Sequence, residues 1–174
     1  MKKIKRWSLG LVITLVGLVG YFVVEAASNE VEFTSVSHAG VQHNLLVEHE
    51  YIYIGKEFEW TGEGLPTIED INILTNEGEV LEADDSDIQI KLWIDESNQT
   101  QILYGDMSEK DLERISNYQK VKGYQMTKPE ITLVMQVKLK NPSYQNHLKS
   151  FMIEYSQDGK AKKQEVPLKN FIFH

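Results

Sequence analysis

Residues 131–139 read ITLVMQVKL, and no other stretch of the chain alternates apolar and polar side chains so strictly. A period of two places successive side chains on opposite faces of a β-strand. The inward set is Ile131, Leu133, Met135, Val137 and Leu139, and the outward set is Thr132, Gln136 and Lys138. The pattern therefore predicts a strand with one buried and one solvated face.

Three of the other predicted strands are recognised from their apolar residues. Residues 88–94 are the clearest of the earlier strands, and apolar residues on both faces of 41–54 predict a strand near the centre of the sheets, at least from Tyr51 to Ile54. Residues 171–174 are too apolar for a loose tail, so they should dock as a final strand. In the segment 88–94 the inward residues are Ile88, Ile90, Leu92 and Ile94, opposite Gln89, Lys91 and Trp93.

The dipeptide Asp158-Gly159, flanked by extended residues, predicts a two-residue hairpin. A type I′ turn needs positive φ at both of its central positions, which Asp-Gly tolerates. This turn would pair Phe151 with Val166. It would also place Glu154 opposite Lys163, an attractive cross-strand pair.

One short surface helix of about ten residues is predicted after residue 107. Ser108 can cap its first turn, and Asp111 stands at the third helical position in a variant of the capping box. Leu112 and Ile115 give only a narrow apolar stripe, so the helix should lie on a sheet edge.

Roughly eight to ten strands, with turn signals about every ten residues, predict an all-β domain over residues 31–174. The expected architecture is an antiparallel β-sandwich with one short surface helix. An immunoglobulin-like topology is the first interpretation, and a jelly roll or a partial barrel is the second.

The N-terminal segment predicts the cellular compartment of this domain. Residues 7–24 are uncharged and would form a helix of roughly 27 Å, close to the membrane's hydrocarbon thickness. Residues 1–6 carry four basic side chains, which place the N-terminus in the cytoplasm and the bulk of the chain outside. Residues 25–30 form a short joint. The alternative is a secretory signal cleaved after Ala26.

Small residues mark one face of the predicted transmembrane helix. Gly10, Thr14 and Gly17 share that face, and such a stripe can let two membrane helices approach closely. Helix pairing, or regulation of a neighbouring membrane protein, is the function that this face would serve.

Composition excludes several classes of site. The absence of cysteine excludes disulfides, thiol catalysis and cysteine-based zinc sites. Residues 28–127 hold 21 acidic against six basic side chains, whereas residues 128–174 hold eight basic against four acidic. Nucleic acid is a disfavoured partner, because phosphate binding needs a clustered basic surface. No motif in the sequence calls for a cofactor.

One acidic run is the best place for a divalent cation, since Ca²⁺ prefers several carboxylate and carbonyl oxygens. The run lacks the order and the glycine of an EF-hand loop, and a solvated turn between strands is the favoured interpretation. Its members are Glu82, Asp84, Asp85 and Asp87. The five histidines never adopt the spacing of metal ligands.

Two tryptophans are candidate partner-binding residues. Alternation places Trp93 on the face away from the core, where a large aromatic needs a cover or a partner. Trp60 precedes a glycine-containing loop and is either a core residue or a binding residue. For both, a structural role is the favoured alternative.

The sequence thus predicts a membrane-anchored extracytoplasmic binding or assembly module of the cell envelope, with a protein or another envelope component as its partner. No catalytic centre is identified. A secreted or anchored hydrolase with a carboxylate site is an alternative class, because paired acids in a cleft can hydrolyse glycosides.

Overall fold

The computed structural model describes residues 32–37, 40–144, 148–168 and 171–173. These residues form mostly antiparallel β-sheet with two short helices, α1 (His43–Glu48) and α2 (Glu109–Ser116). Five of the twelve strands in these ranges have only two residues, which is why more strands are present than the eight to ten predicted. The strands are β1 (Phe33–Ser35), β2 (Val41–Gln42), β3 (Ile52–Trp60), β4 (Thr67–Thr75), β5 (Ile88–Asp95), β6 (Ile102–Leu103), β7 (Gln119–Lys120), β8 (Tyr124–Gln125), β9 (Glu130–Leu139), β10 (Leu148–Gln157), β11 (Lys160–Pro167) and β12 (Ile172–Phe173).

The strands form two antiparallel sheets and one small parallel pair. The first sheet has the order β1-β3-β9-β5-β7, and β6 also pairs with β3. The second sheet has the order β11-β10-β4-β8. The parallel pair joins β12 to β2, with Ile172 opposite Val41.

Side chains from both sheets meet in one hydrophobic core. Phe58 of β3 and Phe151 of β10 pack edge to face with ring centroids 5.8 Å apart. Trp60 and Tyr155 pack in the same way at 5.4 Å. Such aromatic pairs stabilise a core beyond the area that they bury, and here they join the two sheets.

The strand predicted from ITLVMQVKL is confirmed as β9, but its outer face is not solvated where predicted. Thr132 and Val134 are fully buried, as are the inward-facing residues beside them. Thr100 lies over this face: a Cβ built on Gly55 would be 2.0 Å from the Thr100 carbonyl oxygen and 3.0 Å from Thr132 Cγ2. The part of β9 around Thr132 and Val134 is therefore covered on both sides, whereas Gln136 and Lys138 stay partly exposed.

The predicted capped helix is confirmed as α2. The Ser108 side chain accepts the Asp111 N–H, and the Asp111 carboxylate accepts the Ser108 N–H. Leu112 is mostly exposed, as expected of a helix with a narrow apolar stripe.

The prediction of a single strand over residues 41–54 is wrong for residues 43–48 and confirmed from Ile52 onward. Strand β2 ends at Gln42, helix α1 follows, and β3 begins at Ile52. Leu46 turns inward from α1 and is buried, so the apolar residues of this segment enter the core from a helix.

The predicted hairpin is confirmed between β10 and β11. Asp158 and Gly159 have φ values of 50° and 74°. Phe151 pairs with Val166 and Glu154 with Lys163, whose Nζ lies 2.6 Å from Glu154 Oε1. The final strand is confirmed as well, because β12 pairs with β2.

Candidate binding groove

One side of the domain has incomplete strand pairing. On the first sheet, β7 pairs with β5 only at Trp93 and Ile94. On the second sheet, β8 pairs with β4 only at Thr67 and Ile68. Away from these short contacts, the facing edges of β5 and β4 have no neighbouring strand among the described residues, and a groove lies between them.

The edge of β5 presents free backbone groups to this groove. The Lys140 N–H donates to the Asp87 carbonyl at 2.8 Å. The backbone groups of Asp87 therefore point toward β9. Hydrogen-bonding direction alternates along an antiparallel strand. Ile90 therefore directs its N–H and C=O groups, and Leu92 its N–H group, away from β9 toward the open edge, while the Leu92 C=O faces Val121 next to the β7 pairing.

The groups on either side of this open edge are already bonded. The Ile88 N–H donates to Asp85 Oδ1 at 3.0 Å, and Ile94 pairs with Gln119 of β7. The free edge is thus a short segment with a defined beginning and end.

The edge of β4 is largely occupied by the protein itself. The Leu81 N–H donates to the Ile73 carbonyl at 2.8 Å, and the Ile71 N–H donates to Asp70 Oδ1 at 2.9 Å. Because these groups are satisfied locally, β4 acts as a wall of the groove and β5 is the edge that can pair.

The groove has a volume of about 430 Å³, within the size range of ligand sites. Its floor is apolar, and Ile90 and Leu92 are only partly buried there. Both pack against the main core, so an occupant would extend an existing apolar surface. The apolar residues that line it are Ile71, Ile73, Leu81, Ile90, Leu92 and Val121.

The end of the groove near Trp93 is basic. Lys120 and Lys122 line it and are exposed, whereas Asp70 is the acidic residue in the lining. One Asp70 oxygen is already bonded to the Ile71 N–H. Two ammonium groups therefore face one carboxylate at this end.

The opposite end, near Ile88, is acidic. Leu81 and Ala83, which flank Glu82, line the groove there. The other members of the acidic run, Asp84, Asp85 and Asp87, follow directly along the chain. Lys140 is the basic residue beside this run, with its Nζ 2.7 Å from the Asp85 carbonyl oxygen. Burial is the main cause that raises the pKa of Tyr144 to about 12, and the nearby charges of Asp85, Asp87 and Glu77 add to the shift.

The acidic run itself is organised by hydrogen bonds within its loop. Asp85 Oδ1 accepts the N–H groups of Asp87 and Ile88, and Asp87 Oδ1 accepts from Asn141 at 2.7 Å. In the described ranges, no group of three or more His, Asp or Glu side chains is placed to hold a metal ion. Calcium binding here stays an untested hypothesis.

The two predicted tryptophans lie in different environments. Trp93 is half-buried and lines the groove at its basic end. Trp60 is 4% exposed, its Nε1–H donates to the Gly64 carbonyl at 2.7 Å, and its ring contacts Phe33. Trp60 thus has the core position that the sequence left open, and only Trp93 belongs to the groove.

The buried carboxylates among the described residues are Glu32 and Asp95. Burial raises the pKa of Asp95, but hydrogen bonds from Ser97 and Thr100 more than offset this and hold it below its usual value. A general acid needs the opposite shift. Asp95 therefore gives no support to the hydrolase alternative.

The predicted transmembrane helix and its Gly10, Thr14 and Gly17 face lie outside the described residues. Within the ranges that the structure covers, no helix has the length and apolar character needed to cross a membrane.

No protein-family model matches the chain, and neither a curated protein nor a solved structure gives a significant match.

Sequence reasoning identified some groove residues without identifying the groove. Ile90 and Leu92 were predictable as inward-facing, and Trp93 as a residue that needs a cover. No signal in the sequence indicates that β7 leaves β5 after Lys120, yet that departure creates the open edge.

Proposed function

We propose that the chain is a membrane-anchored, extracytoplasmic binding module of the cell envelope that captures an extended segment of a protein partner. The observation that carries this proposal is the open edge of β5, where Ile90 and Leu92 offer backbone hydrogen-bonding groups above an apolar floor. An extended peptide that adds to a sheet edge gains affinity from its main chain and specificity from alternate side chains.

The proposal includes an immunoglobulin-like topology for the domain. Its support is strand order: β1-β3-β9-β5 and β11-β10-β4 follow the A-B-E-D and G-F-C orders of such sandwiches when strands are named along the chain. The β2–β12 pair is an addition to that plan. In this arrangement the groove lies beside strands C and D.

Membrane anchoring and outward orientation rest on the uncharged run 7–24 and its basic flank. External protease added to intact cells should digest the domain and spare the first residues. The N-terminal sequence of the mature protein separates the two alternatives, since a chain that begins at Ala27 would identify a cleaved signal and overturn the anchor.

Photocrosslinking tests the groove directly. A photoreactive amino acid replaces Ile90 in the full-length chain in its native membranes, and a matched variant carries it at Lys163, exposed on β11. We expect a protein adduct from position 90 and none from position 163, with the crosslink confined to one short segment of the partner. Equal labelling from both positions, or none from position 90, would overturn the proposal.

Trp93→Ala provides a second readout. If Trp93 contributes to binding, the variant should retain the melting temperature of the wild type and lose the adduct at position 90. A large fall in melting temperature would instead identify Trp93 as a structural residue.

A further inference from the structure

We infer that the occupant of the groove is an extended peptide that runs antiparallel to β5, with acidic residues at its N-terminal end and a basic residue at its C-terminal end. This inference rests on the proposed function and adds the chemistry and direction of the partner. The shape of the groove and the signs of charge at its two ends carry it.

The length of the site follows from the strand. The residues between the Asp85 contact of Ile88 and the β7 pairing of Trp93 are Gln89 to Leu92, which span roughly 13 Å at the usual rise per residue. A peptide would therefore pair along about four residues, and one further residue at each end lies in one of the two opposite electrostatic environments.

The direction follows from β5 and its charged surroundings. Strand β5 runs from the acidic end, at Ile88, to the basic end, at Trp93. Both of its existing neighbours, β9 and β7, are antiparallel to it, and antiparallel pairing is slightly the more stable. An antiparallel peptide begins beside Lys120 and Lys122, where its acidic end is favoured.

The far end of the peptide then lies beside the acidic run. Among the described residues, the carboxylates of the acidic run outnumber the Lys140 ammonium beside them. This end therefore has a negative field, which favours Lys or Arg on the occupant. Complementary charges across an interface fix the register of partners and disfavour wrong ones.

The middle of the peptide is specified by β5 itself. Residues opposite Leu92 and Ile90 place their side chains on the same face as these two residues, over the apolar floor, so β-branched apolar residues fit there. The residue between them lies opposite Lys91, which is exposed on the outer face. An acidic residue at that position makes an attractive cross-strand pair.

The test compares two capped decapeptides, each with the same serine and glycine flanks. The first contains Glu-Val-Glu-Val-Gln-Lys, and the second has its charges exchanged, as Lys-Val-Lys-Val-Gln-Glu. Binding to the full-length chain in detergent micelles is measured by fluorescence anisotropy at low and at high salt. We expect the first peptide to bind about tenfold more tightly at low salt, with the difference shrinking as salt screens the charges.

Two double variants of the protein test whether the preference for the first peptide arises in the groove. Reversing the basic end with Lys120→Glu and Lys122→Glu together should remove the preference for the first peptide. The matched control reverses two exposed lysines of the hairpin, Lys160→Glu and Lys163→Glu, and should leave that preference intact. Circular dichroism melting verifies that both proteins are folded.

The outcomes separate the inference from the proposed function. Equal binding of both peptides overturns the charge assignment, and tighter binding of the second peptide overturns the antiparallel direction; in both cases a peptide-binding groove remains. Binding of neither peptide overturns the inference and the groove function together. Concentration-dependent self-association that Ile90→Lys abolishes would identify a second copy of the chain as the occupant and overturn the inference.

Discussion

The side-chain amide of Gln164 bonds to the backbone of Phe33 in both directions. Gln164 Nε2–H donates to the Phe33 carbonyl at 2.7 Å, and Gln164 Oε1 accepts the Phe33 N–H at 2.8 Å. The Oε1 atom also accepts the Glu32 N–H at 3.1 Å. Since Phe33 is in β1 and Gln164 is in β11, one side chain joins the edges of the two sheets on the side opposite the groove.

Removing this amide should destabilise the domain. Gln164→Ala leaves three backbone groups near the core without their partner, and we expect a loss of about 2–3 kcal/mol in unfolding free energy. Thermal denaturation should show a melting temperature lower by roughly 4–10 °C. Gln119→Ala, at an exposed position, serves as control and should change little. Equal melting of the two variants would contradict the bridging role.

The buried ammonium group of Lys56 should lower the free energy of unfolding at neutral pH. It lies on the inner face of β3, is 4% exposed, and donates from Nζ to the Ser37 carbonyl at 3.1 Å. Among the described residues no carboxylate forms an ion pair with it. Burial lowers its pKa. Lys56→Met should therefore raise the melting temperature at pH 7 by a few degrees, which corresponds to a gain of about 1 kcal/mol in unfolding free energy.

The pH dependence of this effect has a definite sign. With the pKa of Lys56 lowered in the folded state, unfolding takes up a proton between that pKa and about 10.5, so wild-type stability rises with pH through this window. The advantage of Lys56→Met should shrink as pH increases from 7 to 9.5. Both proteins retain Tyr124 and Tyr144, whose pKa values burial raises, so the comparison cancels their contribution. An advantage that grows with pH would refute this account.

Two glycine substitutions should differ in severity for different reasons. In Gly55→Ala the new Cβ would lie 2.0 Å from the Thr100 carbonyl oxygen, so backbone must move, at a cost of about 3 kcal/mol or more. In Gly159→Ala the Cβ meets open space, and only the positive φ of 74° is unfavourable, at about 1 kcal/mol. Chemical denaturation measures both. A milder effect at Gly55 would show that Thr100 is not held over the sheet.

Asp85→Ala should destabilise the loop before β5 whether or not calcium is present. The variant loses two hydrogen bonds from backbone N–H groups to a carboxylate, worth about 1.5–3 kcal/mol each before relaxation. Asp84→Ala, at an exposed neighbour, is the control. We expect millimolar calcium to leave the wild-type melting temperature unchanged. A rise in the wild type that is absent in Asp85→Ala would establish a cation site.

Local chemistry made part of this fold predictable. Asp158-Gly159 fixes its hairpin because the turn alone demands positive φ, and the register from Phe151 to Val166 follows directly. Strands β5 and β9 follow from alternation, and Ser108 with Asp111 specifies a helix start. Each signal lies within a few residues of the structure that it determines.

Features that depend on distant parts of the chain were not predictable. The helix α1 has no side-chain cap at Gln42, and its three consecutive apolar residues suit a buried strand as well as a helix. Burial of Thr132 depends on Thr100, which reaches it only in the folded sheet. The groove depends on where β7 ends its pairing, which is a property of tertiary structure. Features that depend on tertiary contacts cannot be predicted from a short window of sequence.

The pairing of β12 with β2 has a consequence for the order in which the domain folds. Val41 donates its N–H to the Phe171 carbonyl at 2.8 Å, and roughly 130 residues separate the two strands along the chain. Because a chain is made from its N-terminus, β2 is complete long before β12 exists. Val41 therefore stays open to water until Phe171 and Ile172 have been added, and this part of the domain can close only at the end of synthesis.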